Sequence, residues 1–261
     1  MKAIILAAGM GTRLGKYTEN LPKCMLNFAG KTILERQVET LRNAGITDIT
    51  IVKGYMPEEI NIPGTKTYIN NDYENTNMVE TLFCAEEEMN EEILICYADI
   101  IYEPKVLQKV IESNAKIGVV VDTDYWDYWS ARCDLPESDM ESLIVKNNKI
   151  IELGNTQCSR EDAEVRYVGL IQFSKEGINV LKRIYHENKI KHFHLEEPWL
   201  RSKSFKKAYM TCMIQAIINS GEDVTPITIQ RGWLEFDTVE DYERYSNWKE
   251  QNTLHRFISG I

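Results

Sequence analysis

The chain has 261 residues, 43% of them hydrophobic and 27% charged, an ordinary globular composition that excludes collagen-like, coiled-coil and disordered readings. Asp and Glu outnumber Lys and Arg by 40 to 30, a formal charge of −10. Proteins that live on nucleic acid or anionic membranes carry a basic excess, so neither is a predicted partner, and no apolar run reaches the ~20 residues of a membrane helix. Six cysteines, at 24, 84, 96, 133, 158 and 212, form no Cys-x-x-Cys pair and read as reduced thiols of a cytoplasmic protein.

Lys2 followed by the apolar run 3–8 has the look of a short leader, but Gly9-Met10-Gly11-Thr12-Arg13 follows without a polar spacer. A strand buried on both faces explains the run better. Residues 8–31 read as a long loop punctuated by Gly and Pro. Thr32 and Glu35 form a capping box, then Ile33, Leu34, Val38 and Leu41 recur at helical spacing until Gly45 stops the helix. Strands are predicted at 49–52 and 65–69. Asn77 opens a helix carrying Val79, Leu82, Phe83 and Met89. A strand at 93–97, a helix from Pro104 and a strand at 117–121 follow. Strands alternating with helices indicate an α/β fold with a mostly parallel central sheet and helices on both faces. Beyond 122 the pattern changes to a hairpin at 143–153, a strand at 165–173, helices near 175–187 and 205–220, a strand at 224–230 and a helix at 238–250. The chain is predicted to be a single domain in three parts: a first half at 1–122, a smaller mixed β lid region at 123–236, and a C-terminal helix and tail at 237–261.

The strongest chemical signal is Leu6-Ala7-Ala8-Gly9-Met10-Gly11-Thr12-Arg13-Leu14, with Pro22-Lys23 beyond it. A strand running into Gly-x-Gly lets backbone N–H groups approach phosphate oxygens closely, and Arg13 and Lys23 add positive charge at the same mouth. A Walker A loop is excluded because Gly-Lys-Ser/Thr is absent. A dinucleotide fingerprint is weak, because Leu14 stands where the third Gly belongs and no helix follows directly.

These residues resemble the signature of the sugar-phosphate and choline-phosphate nucleotidyltransferases. Ala7-Ala8-Gly9, Gly11-Thr12-Arg13-Leu14 and Pro22-Lys23 match it in full, and later motifs fall in order along nearly the whole chain. Tyr97-Ala98-Asp99 lies where the family places a magnesium-binding Asp, and the run from Trp233 to Tyr242 looks like its second acidic motif. Asn71-Asp72-Tyr73, the run 77–82, Tyr128-Trp129-x-x-Arg132 and Tyr167-Val168-Gly169-Leu170-Ile171 look more like the CTP-dependent cytidylyltransferases that act on phosphocholine, phosphonates or phosphoglutamine. One departure is Cys212 after Thr211, where the family pattern is Thr-Asp; it bears on the acceptor, not the reaction.

The resemblance implies a Rossmann-like nucleotidyltransferase fold and transfer of CMP from CTP to a small phosphorylated or phosphonate acceptor, feeding capsule or other cell-surface polysaccharide modification. Arg13 and Lys23 are the predicted catalytic cations. Leu6, Ala7, Ala8, Gly9, Gly11, Thr12, Tyr55, Asn77 and Thr81 are predicted to bind nucleotide, and Trp129, Arg132 and Tyr167 the acceptor. Asp99 and Asp237 would hold Mg²⁺, with Glu235 as a further ligand. Asp99 sits at a predicted strand's carboxyl end, the ligand edge of an open α/β sheet, and Mg²⁺ takes only one or two protein carboxylates.

Plainer readings compete. Asp237 can help cap the helix at 238, and Asp99 can be a carboxylate near the helix at 104. Trp126 and Trp129, three apart, suit a short packed helix better than a cation cage. Glu86-Glu87-Glu88 reads as a solvated helix face, and His192-Phe193-His194 as solvated rather than zinc-binding. The apolar tail 254–261 is predicted to dock on the body or on a second subunit of a homodimer. A hexose-1-phosphate nucleotidyltransferase and a non-catalytic nucleotide sensor remain the alternatives in function.

Overall fold

The structure, a computed structural model, describes residues 1–261. Its first strand, β1 (Lys2–Ala7), leads into two 3-10 turns, Thr12–Tyr17 and Lys23–Met25, so the long loop of 8–31 is ordered. A two-residue ladder, β2 (Asn27–Phe28) with β3 (Lys31–Thr32), delivers the chain to α1 (Ile33–Asn43). Thr32 and Glu35 make the capping box there, so both N-terminal donors are satisfied. Next come β4 (Ile49–Lys53), β5 (Lys66–Ile69) and α2 (Met78–Phe83). The chain continues through β6 (Ile93–Tyr97), β7 (Ile100–Tyr102), α3 (Pro104–Ile111) and β8 (Ile117–Asp122). Then follow α4 (Trp126–Arg132), the hairpin of β9 (Leu143–Lys146) and β10 (Lys149–Leu153), β11 (Arg166–Phe173) and α5 (Lys175–His192). The last elements are α6 (Met210–Asn219), β12 (Thr225–Ile229), β13 (Trp233–Glu235) and α7 (Val239–Glu250).

Seven strands form the central sheet in the order β12-β8-β11-β6-β1-β4-β5. All neighbours are parallel except β11, which runs antiparallel to both β8 and β6. Alternate residues of β1 feed two separate cores. Ala3, Ile5 and Ala7 pack with α1 and α3 on one face, and Ile4 and Leu6 with α2, α5 and α6 on the other. This period-two split is why the run 3–8 is apolar throughout rather than alternating. The second half does not stay apart: β11 and β12 enter the main sheet, while the β9–β10 hairpin and β13, which pairs with β7, stand outside it.

Three expectations need correction. The helix predicted to carry Met89 ends at Phe83, and Met89 lies beyond a separate 3-10 turn, Glu86–Glu88. The helix near 205–220 begins only at Met210, after a turn at Phe205–Lys207. Glu88 is not solvated: it is buried, accepting from Lys2 Nζ of β1 at 3.2 Å and from Lys66 Nζ of β5 at 2.8 Å. No helix is long and apolar enough to cross a membrane.

The topology fixes where a ligand can bind. From β1 the chain moves to β4 and β5 on one side, then returns to β6 on the other. Such a reversal opens a crevice at the carboxyl ends of the strands. The glycine loop follows β1 there, and Asp99 follows β6.

Candidate active site

A cleft of about 280 Å³ occupies that crevice. Leu6, Ala7, Ala8, Gly9, Gly11, Thr12, Arg13 and Lys23 line it from β1 and the loop after it, Asn77 and Thr81 from the α2 turn, and Asp99 and Asp237 from beyond β6 and β13. Gly11 has φ +67°, and a Cβ there would lie 2.7 Å from Cβ of Lys23. Only glycine lets the two arms of the loop approach this closely. The Thr18 hydroxyl donates to the Gly11 carbonyl at 2.8 Å and ties the loop shut.

Two remote acids meet through short strands. β7 pairs antiparallel with β13, Glu235 opposite Ile100, and the Phe236 N–H donates to the Asp99 carbonyl at 2.8 Å. Asp99 and Asp237 therefore emerge side by side. Lys23 Nζ donates to Asp99 Oδ2 and to Asp237 Oδ1, both at 2.7 Å, and Arg13 Nη1 lies 2.6 Å from Asp237 Oδ2. Burial works against the Lys23 ammonium, but the two carboxylates outweigh it and raise its pKa. Asp99 is also raised, by burial first, with Lys23 opposing and the neighbouring acids Glu235 and Asp237 adding. Its second oxygen, Oδ1, is buried with no hydrogen-bond partner.

The other predicted residues divide. Asn77 caps α2, its Oδ1 accepting from the Met78 N–H at 2.9 Å, and the Thr81 hydroxyl accepts from Asn70 Nδ2 at 3.0 Å. Tyr55 is not brought into the cleft: it packs on Tyr73, which does line it, and its hydroxyl donates to the Glu19 carbonyl at 3.3 Å. Trp129 is fully buried beside Trp233, so α4 is a packed helix and this indole faces no acceptor. Arg132 is buried as well. Its Nε and Nη2 grip Asp241 at 2.7 and 2.8 Å, and its Nη1 pairs with Glu235. Burial pushes Glu235 upward, but Arg132, with Arg166 and Lys23 behind it, wins and holds that carboxyl at about 2. One Glu235 oxygen is thus committed to Arg132, while the residue lines the second cavity with Asp99 and Asp237.

Tyr167 lines a second cavity, of about 190 Å³, that shares Arg13, Met78, Asp99, Tyr209 and Asp237 with the first. The two spaces therefore adjoin at Asp99 and Asp237. Gly169, at φ +89°, lies so near Tyr97 that a Cβ would be 3.0 Å from its ring, and β11 bulges between Tyr167 and Ile171. This turns Tyr167 edge-on to Tyr97 at 5.5 Å, with its hydroxyl buried and unpartnered. Glu141, Arg166, Tyr73 and Tyr209 also line these cavities and were not singled out from sequence as site residues. Glu141, Tyr73 and Tyr209 lie on irregular segments, where no periodicity marks which way a side chain points.

A glycine loop after the first strand, a lysine at its mouth and two acids from opposing strand ends define an α/β enzyme that handles a nucleoside polyphosphate. A sequence model of the MobA-like NTP transferase domain matches residues 3–146, and the chain belongs to this nucleotidyltransferase family. The CTP:phosphoglutamine cytidylyltransferase of Campylobacter jejuni is 34% identical over 255 residues, 93% of this chain and 98% of the relative. The choline-phosphate cytidylyltransferase of Streptococcus pneumoniae is 41% identical over 93 residues, 34% of this chain and 41% of the relative. Among solved structures, a CTP:phosphocholine cytidylyltransferase from Streptococcus pneumoniae superposes with a TM-score of 0.71 at 22% identity, covering 94% of this chain and 97% of the other. An inositol-1-phosphate CTP transferase from T. maritima does so with 0.71 at 17% identity, covering 99% and 98%. These superpositions bear on the fold, which they share.

Proposed function

We propose that this enzyme transfers CMP from CTP to a phosphate or phosphonate oxygen of a small acceptor and releases pyrophosphate. The observation that carries the reading is the Lys23 ammonium held at 2.7 Å from both Asp99 and Asp237, two acids that line both cavities. The acceptor oxygen attacks the α-phosphorus in line; that P–O bond forms as the bond to the bridging oxygen breaks and pyrophosphate leaves. The nucleophile is already an anion at neutral pH, so no proton need be removed by a base. Catalysis then reduces to positioning two polyanions and neutralising charge.

Arg13, exposed at the loop and paired with Asp237, meets the β,γ-phosphates. Lys23 leaves its carboxylates for the α-phosphate and the attacking oxygen. The backbone of Ala8, Gly9, Gly11 and Thr12 lies along the phosphates, and Leu6, Asn77 and Thr81 face the base. Asp99 and Asp237 suit Mg²⁺: both present hard oxygen donors, one buried Asp99 oxygen has no partner, and two carboxylates plus triphosphate oxygens and water satisfy this ion. When bound there, Mg²⁺ would draw charge from the triphosphate oxygens.

A crossed assay of pyrophosphate release tests this, with four nucleoside triphosphates against phosphocholine, phosphoethanolamine, 2-aminoethylphosphonate, phosphoglutamine and hexose 1-phosphates. Exclusive CTP use is expected. Preference for UTP or dTTP with a hexose 1-phosphate would replace the reading, and CTP binding without turnover on any acceptor would make the protein a sensor.

A further inference from the structure

The second cavity carries charge that the CMP-transfer step does not use. Arg13 is paired with Asp237 there, Lys23 with Asp99 and Asp237, and Glu235 with Arg132. Glu141 and Arg166 line the same cavity. Glu141 is half-buried and makes no hydrogen bond or ion pair. Arg166 is better fixed: its Nη1 donates to the Asp139 carbonyl at 2.9 Å, its guanidinium lies 3.7 Å over the Trp129 ring, and its side chain is 14% exposed. Its closest carboxylate, that of Asp139, is 4.0 Å from Nη2. Stacking and one carbonyl use one part of the fork and leave further N–H donors uncommitted.

Two opposite charges thus line one cavity without pairing to each other, and the Tyr167 hydroxyl between the strands is buried and unpartnered. A half-buried carboxylate without a partner, as at Glu141, is costly, and Arg166 has N–H donors to spare. A ligand that supplies both counter-charges removes that cost. An ammonium alone would satisfy Glu141 and leave Arg166; a carboxylate alone would do the reverse. A hexose ring would satisfy neither charge.

We propose that Glu141 and Arg166 are specificity-determining residues that select an acceptor with an amino-acid head group, its ammonium on Glu141 and its carboxylate on Arg166. This rests on the cytidylyltransferase reading and deepens it. The phosphoryl oxygen of the same acceptor points back to Lys23. Trp129 acts here as the platform under Arg166, and Arg132, Asp241 and Glu235 hold that platform's surroundings.

The test compares acceptors that differ by one charge. With CTP and Mg²⁺, pyrophosphate release is measured for phosphoserine and phosphoglutamine (both charges), phosphoethanolamine and phosphocholine (ammonium only) and 3-phosphoglycerate (carboxylate only). The best two-charge acceptor is expected to exceed every single-charge one in kcat/KM by at least about tenfold, the scale of one charged hydrogen bond. Arg166→Gln is expected to lower kcat/KM for the two-charge acceptor by about 10–100-fold while changing phosphoethanolamine by less than about threefold. Glu141→Gln, which breaks no contact within the protein, should lower every ammonium-bearing acceptor and spare 3-phosphoglycerate. Phosphoethanolamine or phosphocholine turned over as well as the two-charge acceptors overturns the proposal. So does an Arg166→Gln loss equal across all acceptors, which would make Arg166 a phosphate ligand. The wild-type comparison decides even where Arg166→Gln folds poorly. CTP turnover confined to single-charge acceptors sinks this inference alone, whereas turnover only of UTP or dTTP with hexose 1-phosphates sinks the cytidylyltransferase reading with it.

Discussion

In the proposed reaction Lys23 serves two partners in turn. Without nucleotide it neutralises Asp99 and Asp237, which otherwise face each other in a buried space. On that reading, a bound triphosphate makes it a donor to the reacting centre. Replacing it removes the second role and leaves the first unfilled, so Lys23→Ala is expected to reduce kcat by about 10²–10³, the scale of one lost transition-state donor. Steady-state pyrophosphate release at saturating Mg²⁺ and CTP measures this; wild-type turnover would remove Lys23 from the mechanism. Lys23, like Asp99 and Asp237, was legible as a candidate because it follows a recognisable loop and the acids end or follow apolar runs. Arg132 was not. Its guanidinium meets partners more than 100 positions away, Glu235 and Asp241, and a single sequence shows an arginine without showing which acids surround it. Glu141 and Arg166 escaped for a related reason: a loop and the bulged start of β11 aim them at one cavity.

At the scale of elements, the acidic motif is held by a buried brace between α4 and α7. Asp241 accepts from the Asp237 and Thr238 N–H groups at 2.9 Å while Arg132 grips both of its oxygens. Glu235 is fixed from the other side, its N–H donating to the Tyr128 hydroxyl at 3.0 Å and its carbonyl accepting from Tyr245 at 2.9 Å. Arg132→Met would strand two acids without their cation, so it is expected to lower unfolding free energy by about 3–5 kcal/mol. Urea unfolding checks it; a change below about 1 kcal/mol, the ceiling for an exposed ion pair, would show the brace to be dispensable.

A second brace, at Glu88, gives a pH signature. Hydrogen bonding from Lys66 lowers its pKa first, burial opposes, and Lys2 and Tyr68 add to the lowering. A carboxylate lowered by folding contributes stability above its unfolded value, near 4.5, and loses that contribution as pH falls through the folded value. Glu88→Gln is therefore expected to be less stable at pH 6 and to lose less on going to pH 3. Unfolding free energies measured at both values test it, and parallel losses in the two proteins would refute it. The long elements around these braces were readable from apolar spacing. β7 and β13 were not, because three-residue strands are too short to show a period and exist only as each other's partner.

For the whole molecule, the tail decides whether the acidic motif has a wall behind it. Leu254, Phe257 and Ile258 are buried in the same core as β13 and α7, so the tail docks on its own body. Phe257 lies 5.6 Å from the Tyr128 ring and 4.7 Å from Trp248, and its carbonyl accepts from the Gly232 N–H at 2.9 Å just ahead of β13. The Ser259 N–H donates to Glu103 at 2.7 Å, ahead of α3. The tail thus bonds to the residues that flank both strands of the β7–β13 ladder. Burying three such side chains contributes about 5–9 kcal/mol at most, against about 5–15 kcal/mol for a whole domain. Removing 254–261 is therefore expected to leave too little for a stable fold at 37 °C. The graded version is Phe257→Ala, expected to cost about 3–5 kcal/mol in thermal or urea unfolding and, because Tyr128 loses its neighbour, to raise the Mg²⁺ concentration needed for half-maximal turnover. A Phe257→Ala protein that melts like wild type would mean that the acidic motif stands without its outer wall, and that the Arg132 brace alone holds Asp237 in place.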